Sequence, residues 1–472
     1  MKIHFRSRLW WLMAVLWLVP CGTVKSAGSW PAALFTTIIT NGPVTNRLNL
    51  VFFSEGYTNG QQSQFLADST NAAASFLSVQ PYAEYARYFN VFAIYTNSAN
   101  SGSTHLNQAA YGVNHTFFNS TYDAAKDTVI TIPPNATDSD SSDGQGKING
   151  LLQQFLPATN FDLPALLVND VVDGGSDNYG ATAITSVSYV SYILVHESGH
   201  TLGGLGDEYS TPYPGYTNEA EQPNTSTHTN YSQISWNAWL ATNTPIPTPT
   251  SYAYQAIVGL FQGAHYTTNG WYRPMFDCCM RSFGYTQFCP VCQEALVLAI
   301  YGKTRPIDGQ TPATNLLTVT SAPMLTFSLN LLQPATHNLH VQWRTNNTVV
   351  SGATNANFAI WPAQLGNGTN TVEADVWDAT AMVRTDTRNL LKQTNLWTLA
   401  IAVPVMEINS LRWLTNGTFS FTVTGQAPSV VIQQSTNLRL WTPVQTDYFS
   451  GGKLSYTNAG SNPRQFFRTM TP

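Results

Sequence analysis

The sequence predicts a multidomain protein, an α/β unit followed by two all-β modules. Three observations lead there. At 472 residues with 43% hydrophobic content, the chain is too long for one ordinary core yet apolar enough for several. An apolar strand, a helical stretch and a second apolar strand succeed one another between residues 48 and 95. From about residue 310 the texture changes to short alternating runs separated by Asn, Gly and Thr turns.

The chain opens with Lys2, Arg6 and Arg8 ahead of an apolar run from Leu9 to Pro20, and small residues near Ser26 and Ala27 offer a cleavage region. Residues 1–27 therefore read as a signal peptide, the run being too short for a membrane span. A retained anchor, or lipid attachment at Cys21, is the alternative, although Pro20 suits the latter poorly. The α/β unit is placed at 28–303, and the β modules at 310–403 and 404–472.

Within the α/β unit, Leu48 to Ser54 is the first strand, ending at Glu55. Thr58 stands where it would cap a helix whose apolar contacts are Phe65, Phe76 and Leu77. Phe89 to Tyr95 is the next strand, and Thr128 to Ile132 follows a polar interval. Leu163 to Asn169 has strand character, with Pro164 fitting an edge or a beginning better than a centre. Asp173 to Gly180 is a loop, with Asp170 to Tyr179 as a rim that could serve as an edge, and Ala183 to Tyr189 leads into a helix. Glu294 to Ile300 is helical and closes the unit near Tyr301. Beyond it, Leu325 to Leu331, Leu339 to Trp343, Phe358 to Trp361 and Val372 to Trp377 read as strands of a β-sandwich. Phe419 to Val423, Val430 to Gln433 and Phe466 to Thr469 belong to the last module.

Only 10% of residues are charged and the net charge is −5, so no basic field exists to hold a nucleic acid. Asn, Thr, Ser, Gly and Tyr supply the polar surface instead, which suits an exported protein. The four cysteines beyond the leader, Cys278, Cys279, Cys289 and Cys292, lie within 15 residues of one another. In an exported chain they are expected to form local disulfides linking 278 and 279 to 289 and 292, with a four-cysteine zinc site as the rival. Asp138, Asp140 and Asp143 alternate in a Ser- and Gly-rich stretch that could wrap a calcium ion, although the pattern is not an EF-hand and suits an acidic loop equally.

The chemistry concentrates at His196, Glu197 and His200. Two histidines four apart share one helix face and can present ring nitrogens to one Zn2+, while Glu197 can relay a proton from the attacking water to a leaving amine. Gly203 is expected to end that helix with a positive φ, and Gly204 and Gly206 to continue the turn. Asp207, with Glu208 as the alternative, then supplies a third, oxygen ligand, and Tyr209 either stabilises a tetrahedral intermediate or packs the base.

These residues resemble the metzincin signature of zinc peptidases, His-Glu-x-x-His-x-x-Gly-x-x-His/Asp, with Gly206 in the last position and Asp207 one residue later. The fuller resemblance is to the peptidase M64 family, named for immunoglobulin A peptidase. It is carried by Phe52 to Thr58, Pro81 and Tyr82, Tyr88 to Val91, His196 to Tyr209, Trp271 to Arg273, Cys279 to Arg281 and Phe288 to Cys292, and it spans roughly residues 45 to 302. It implies a secreted zinc endopeptidase acting on protein or peptide substrates, with a metzincin-like α/β domain and Met280 in a methionine-containing turn beneath the metal. Gln434 to Trp441 and Pro463 to Arg468 resemble small β modules appended to secreted bacterial proteins, which implies an extracellular surface or matrix ligand. The competing readings are a non-catalytic adhesion protein with a structural zinc domain and a zinc hydrolase of non-peptide amides.

Overall fold

A computed structural model describes residues 33–470 apart from 107–111, 124–127, 134–143, 160, 179–180, 186–189, 214–219, 283, 322, 416, 426, 428 and 459–463. The leader and the acidic stretch with Asp138, Asp140 and Asp143 lie outside the described residues, so the calcium expectation has no structural counterpart here. Among the described residues, no helix is long and apolar enough to cross a membrane.

The N-terminal region is mixed α/β. Its elements are β1 (Leu34–Ile39), β2 (Leu48–Glu55), α1 (Gln62–Phe76), β3 (Phe89–Tyr95), three two-residue strands β4 (Thr104–His105), β5 (Thr121–Tyr122) and β6 (Ile130–Thr131), α2 (Gly144–Phe155), β7 (Phe161–Val168), β8 (Gly175–Asn178), β9 (Ala181–Thr185), α3 (Val190–Gly203), the hairpin β10 (Phe261–Ala264) and β11 (Thr267–Arg273), and α4 (Pro290–Lys303). Six strands form one sheet in the order β1-β3-β2-β7-β9-β8. The four inner strands run parallel, and β1 and β8 close the edges antiparallel. Every residue of β2 is buried, as a central parallel strand covered on both faces requires. Its side chains alternate: Leu48, Leu50 and Phe52 join α1, α3 and α4 in one core, while Val51 and Phe53 join Ile148 and Leu151 of α2 in another.

Three local expectations are corrected. Thr58 does not cap α1; its N–H and hydroxyl both donate to the Gln61 side chain, and the helix begins at Gln62. Only Ile130–Thr131 of the 128–132 run pairs as a strand. Pro164 lies in a strand with neighbours on both sides, but one residue before pairing with β9 begins at Ala165, where β7 still has β2 alone beside it.

The C-terminal region is largely β-sheet. Strands β12 (Ile307–Thr311), β13 (Leu316–Val319), β14 (Leu325–Leu331), β15 (His340–Thr345), β16 (Thr348–Val349), β17 (Asn357–Ile360), β18 (Gly368–Trp377) and β19 (Lys392–Ile401) form two sheets, β12-β14-β17 and β13-β19-β18-β15-β16. They share a core around Phe327, Trp343 and Trp397. Six further strands, β20 (Met406–Trp413), β21 (Phe419–Gly425), β22 (Ser429–Ser435), β23 (Thr442–Tyr448), β24 (Lys453–Asn458) and β25 (Phe466–Met470), form two three-stranded sheets around Phe421, Val430 and Ile432.

Polar contacts join the α/β region to the first β region. Arg47 grips both carboxylate oxygens of Asp308, at 2.7 and 2.6 Å. The Tyr85 and Tyr301 hydroxyls each donate to Asp378 Oδ2 at 2.8 Å, and the Tyr88 hydroxyl donates to the Leu332 carbonyl at 2.7 Å. The His337 ring bridges Glu84 and Asp378, one nitrogen to each.

Candidate metal centre

Helix α3 packs beneath the β9–β8 end of the sheet and carries His196 and His200 one turn apart on the same face. Their Nε2 atoms are 3.3 Å apart. Each Nδ1 donates to a backbone carbonyl, His196 to Cys279 at 2.9 Å and His200 to Leu205 at 2.7 Å. In a neutral imidazole this arrangement fixes the tautomer that leaves Nε2 bare for a metal.

The helix terminates in glycines, though not with the geometry expected. Gly203 is required for space, since a Cβ there would meet Leu296 Cδ2 at 2.8 Å. The positive φ, +60°, belongs to Gly204. Asn224 then clamps Gly206, accepting from its N–H at 2.7 Å and donating to its carbonyl at 2.8 Å.

Beyond this clamp, Asp207 and Glu208 point in opposite directions. Asp207 Oδ1 lies 3.3 Å from His196 Nε2 and 3.5 Å from His200 Nε2. Glu208 is fully buried, with its Oε1 3.6 Å from the Cys292 sulfur. A tetrahedral zinc site with bonds of ~2.0–2.1 Å has donor–donor edges of about 3.3–3.4 Å, which the His196, His200 and Asp207 atoms match. Asp207 Oδ1 is moreover a buried atom without a hydrogen-bond partner, as a ligand atom awaiting a cation would be. The donor set of two imidazoles and one carboxylate therefore fits Zn2+ and leaves a fourth position for a non-protein ligand.

The electrostatics agree. Burial alone would raise the Asp207 pKa, but the His196 and His200 contacts override it and hold the carboxyl far below its ordinary range. Burial alone would lower the His200 pKa, yet contact with Asp207 pushes it up to about 10. Protons thus gather where three donors converge, and a cation would replace them. Glu197, in contact with the same cleft, has its pKa raised, chiefly by burial and against the pull of both histidines.

The cleft measures about 840 Å³, with Gly175, Ser176 and Asp177 of edge strand β8 on one wall and Tyr209, Tyr213 and Tyr266 on another. The Tyr209 hydroxyl lies 3.2 Å from that of Tyr192, and its ring stands 5.8 Å from the His196 ring. Met280 is buried directly below α3; a Cβ on Gly199 would meet its sulfur at 2.7 Å, and its carbonyl accepts the Glu208 N–H at 2.9 Å.

Sequence reasoning missed Tyr266, whose hydroxyl donates to Asp207 Oδ2 at 2.7 Å and so turns Oδ1 toward the histidines. It sits at the tip of the β10–β11 hairpin, where His265 and Tyr266 both adopt positive φ, 49° and 55°. Positive φ at both central residues is the type I′ geometry of a two-residue hairpin, adopted here without the usual Asn or Gly, so the sequence carries no signal for it. The disulfide expectation is also corrected. Cys278, Cys279, Cys289 and Cys292 are all free and buried, with sulfurs 3.7 Å apart for 278–292 and 3.5 Å for 289–292.

Residues 36–255 and 251–300 match a family model described as IgA Peptidase M64. No curated protein matches the chain.

Proposed function

The chain belongs to the IgA peptidase M64 family through residues 36–255 and 251–300, and from that premise we propose that it is a secreted zinc endopeptidase, metzincin-like in its catalytic layout, with Glu197 as general base. The observation that carries the reading is the convergence of His196 Nε2, His200 Nε2 and Asp207 Oδ1 within 3.3–3.5 Å of one another in the cleft.

His196, His200 and Asp207 would hold the ion. Zinc, when bound, supplies a Lewis acid that acidifies water and polarises a carbonyl. Glu197 takes the proton of the attacking water and returns it to the leaving amine, a role its raised pKa suits. Strand β8 pairs on one side with β9; on its outer side Gly175 already donates to the Thr128 carbonyl at 3.0 Å, so an extended substrate chain would add beyond that contact, beside Asp177, to bring its scissile carbonyl over the histidines. Tyr209 stands beside His196, where its hydroxyl can donate to a developing oxyanion. The unit that does this is read as residues 28–303, followed by β modules at 310–403 and 404–472.

The test is Glu197→Gln, assayed on a broad peptide library beside the wild type, with zinc content measured in both. Losing a general base is expected to reduce kcat/KM by roughly 10²–10⁴-fold while zinc content stays at the wild-type level. A wild type that cleaves nothing in the library, or a variant that retains full activity, would overturn the proposal.

A further inference from the structure

Behind the cleft, on the far side of the Asp207–Glu208 dipeptide, a second group of ligand atoms meets. Glu208, Cys278, Cys289 and Cys292 are buried, and one ligand atom from each lies within 4.8 Å of all the others. Cys279 is not part of this group; its carbonyl instead accepts the His196 Nδ1–H. We propose that Glu208, Cys278, Cys289 and Cys292 bind a second, structural zinc ion. The proposal goes beyond the peptidase reading and does not depend on it.

The distances carry the argument. A tetrahedral ion with Zn–S bonds of ~2.3 Å and a Zn–O bond of ~2.1 Å has S···S edges of about 3.8 Å and S···O edges of about 3.6 Å. The measured separations are 3.7 Å for Cys278–Cys292, 3.5 Å for Cys289–Cys292 and 3.6 Å for Cys292 to Glu208 Oε1. The two S···S separations exceed the ~2.05 Å of a disulfide, and all three fit the edges of one coordination shell. With four protein ligands the site is closed, as structural zinc sites are, whereas the histidine site has three.

A second observation is the cost of this cluster without a cation. Glu208 Oε2 is a buried atom with no hydrogen-bond partner. Its carboxyl shares an enclosed space with three sulfurs. An isolated cluster of this kind is expensive to bury, and a divalent ion removes the expense. Cys289 is the N-cap of α4 and Cys292 lies in its first turn, where the helix dipole stabilises thiolates. The Cys289 N–H donates to the Cys278 sulfur at 3.3 Å, and the buried Arg273 is close enough to Glu208 to interact electrostatically.

The position gives the ion a task. Glu208 is the chain neighbour of Asp207, Cys278 is the neighbour of Cys279, and the Glu208 N–H binds the Met280 carbonyl. Fixing the second site therefore fixes the backbone that aims Asp207 at the histidines and offers the Cys279 carbonyl to His196.

The proposal is tested on the full-length protein by zinc counting and zinc-edge X-ray absorption. Two zinc ions per chain are expected in the wild type, with a sulfur shell near ~2.3 Å beside nitrogen and oxygen. The His196→Ala/His200→Ala variant should lose one zinc and keep the other in a sulfur-dominated shell. Cys292→Ser should lose the sulfur-bound ion. Wild-type zinc with nitrogen and oxygen scatterers alone, or a disulfide among Cys278, Cys289 and Cys292 by mass spectrometry, would overturn it. The wild-type spectrum decides the matter even where a variant fails to fold. A wild type that holds the sulfur-bound ion but none bound by nitrogen and oxygen would count against the catalytic centre alone.

Discussion

The two oxygens of Asp207 are turned to different ends, Oδ2 accepting from the Tyr266 hydroxyl and Oδ1 facing the two histidines. Tyr266 is thus an orienting residue of the kind whose loss weakens metal binding without removing a ligand. Tyr266→Phe is expected to lower zinc affinity at the histidine site by roughly 10–100-fold, read by competition with a chromogenic chelator. An unchanged affinity would mean that Asp207 keeps its direction by packing alone. At this scale the sequence is explicit about His196, Glu197 and His200, because four-residue spacing on a helix is a rule of geometry. It favours Asp207 but keeps Glu208 as an alternative, because side-chain length says nothing about direction. Their divergence depends on the local backbone, which Asn224 sets from 18 residues away by clamping Gly206.

Elements whose periodicity matches their environment are legible in the chain. The buried strands β2 and β3 appear as continuous apolar runs, and β14 is predicted to the residue. Strand β19 escapes notice because polar residues interrupt its apolar ones, yet Trp397, Leu399 and Ile401 recur with a period of two on its buried side. The end of α3 at Gly203 is legible, but its positive φ is placed one glycine early, since Gly203 and Gly204 look alike until packing assigns space to one and a left-handed turn to the other. That division of labour is testable. A Cβ on Gly204 would meet nothing within 4 Å, so Gly204→Ala should cost only the backbone penalty, about 1 kcal/mol. In a domain of this size the melting temperature should fall by roughly 2–4 °C in a thermal scan. A fall many times larger would show that the turn also supports the loop bearing Asp207.

At the scale of the whole molecule, the contacts between the α/β and first β regions were illegible, because Glu84, His337 and Asp378 are brought together across some 250 to 290 residues. Burial would raise the Glu84 pKa, but hydrogen bonds from Thr336 and the nearby His337 hold it below its ordinary 4.5. A carboxyl with a depressed folded-state pKa stabilises above its unfolded value, and that stabilisation fades as pH falls through the folded value. The melting temperature of the wild type should therefore drop more steeply below pH 4.5 than that of Glu84→Gln, and parallel curves would remove Glu84 from the account. The same contacts bear on where the chain can be cut. A fragment ending at residue 303 would strip Arg47 of Asp308, Glu84 of Thr336 and His337, and the hydroxyls of Tyr85 and Tyr301 of Asp378. These buried groups would lose their partners across the cut together, Arg47 keeping only the Asn41 and Asn46 carbonyls and Tyr301 only the Tyr88 hydroxyl. Excision for recombinant work should therefore fall after β19, and the first β region is better regarded as a wall of the peptidase than as its cargo.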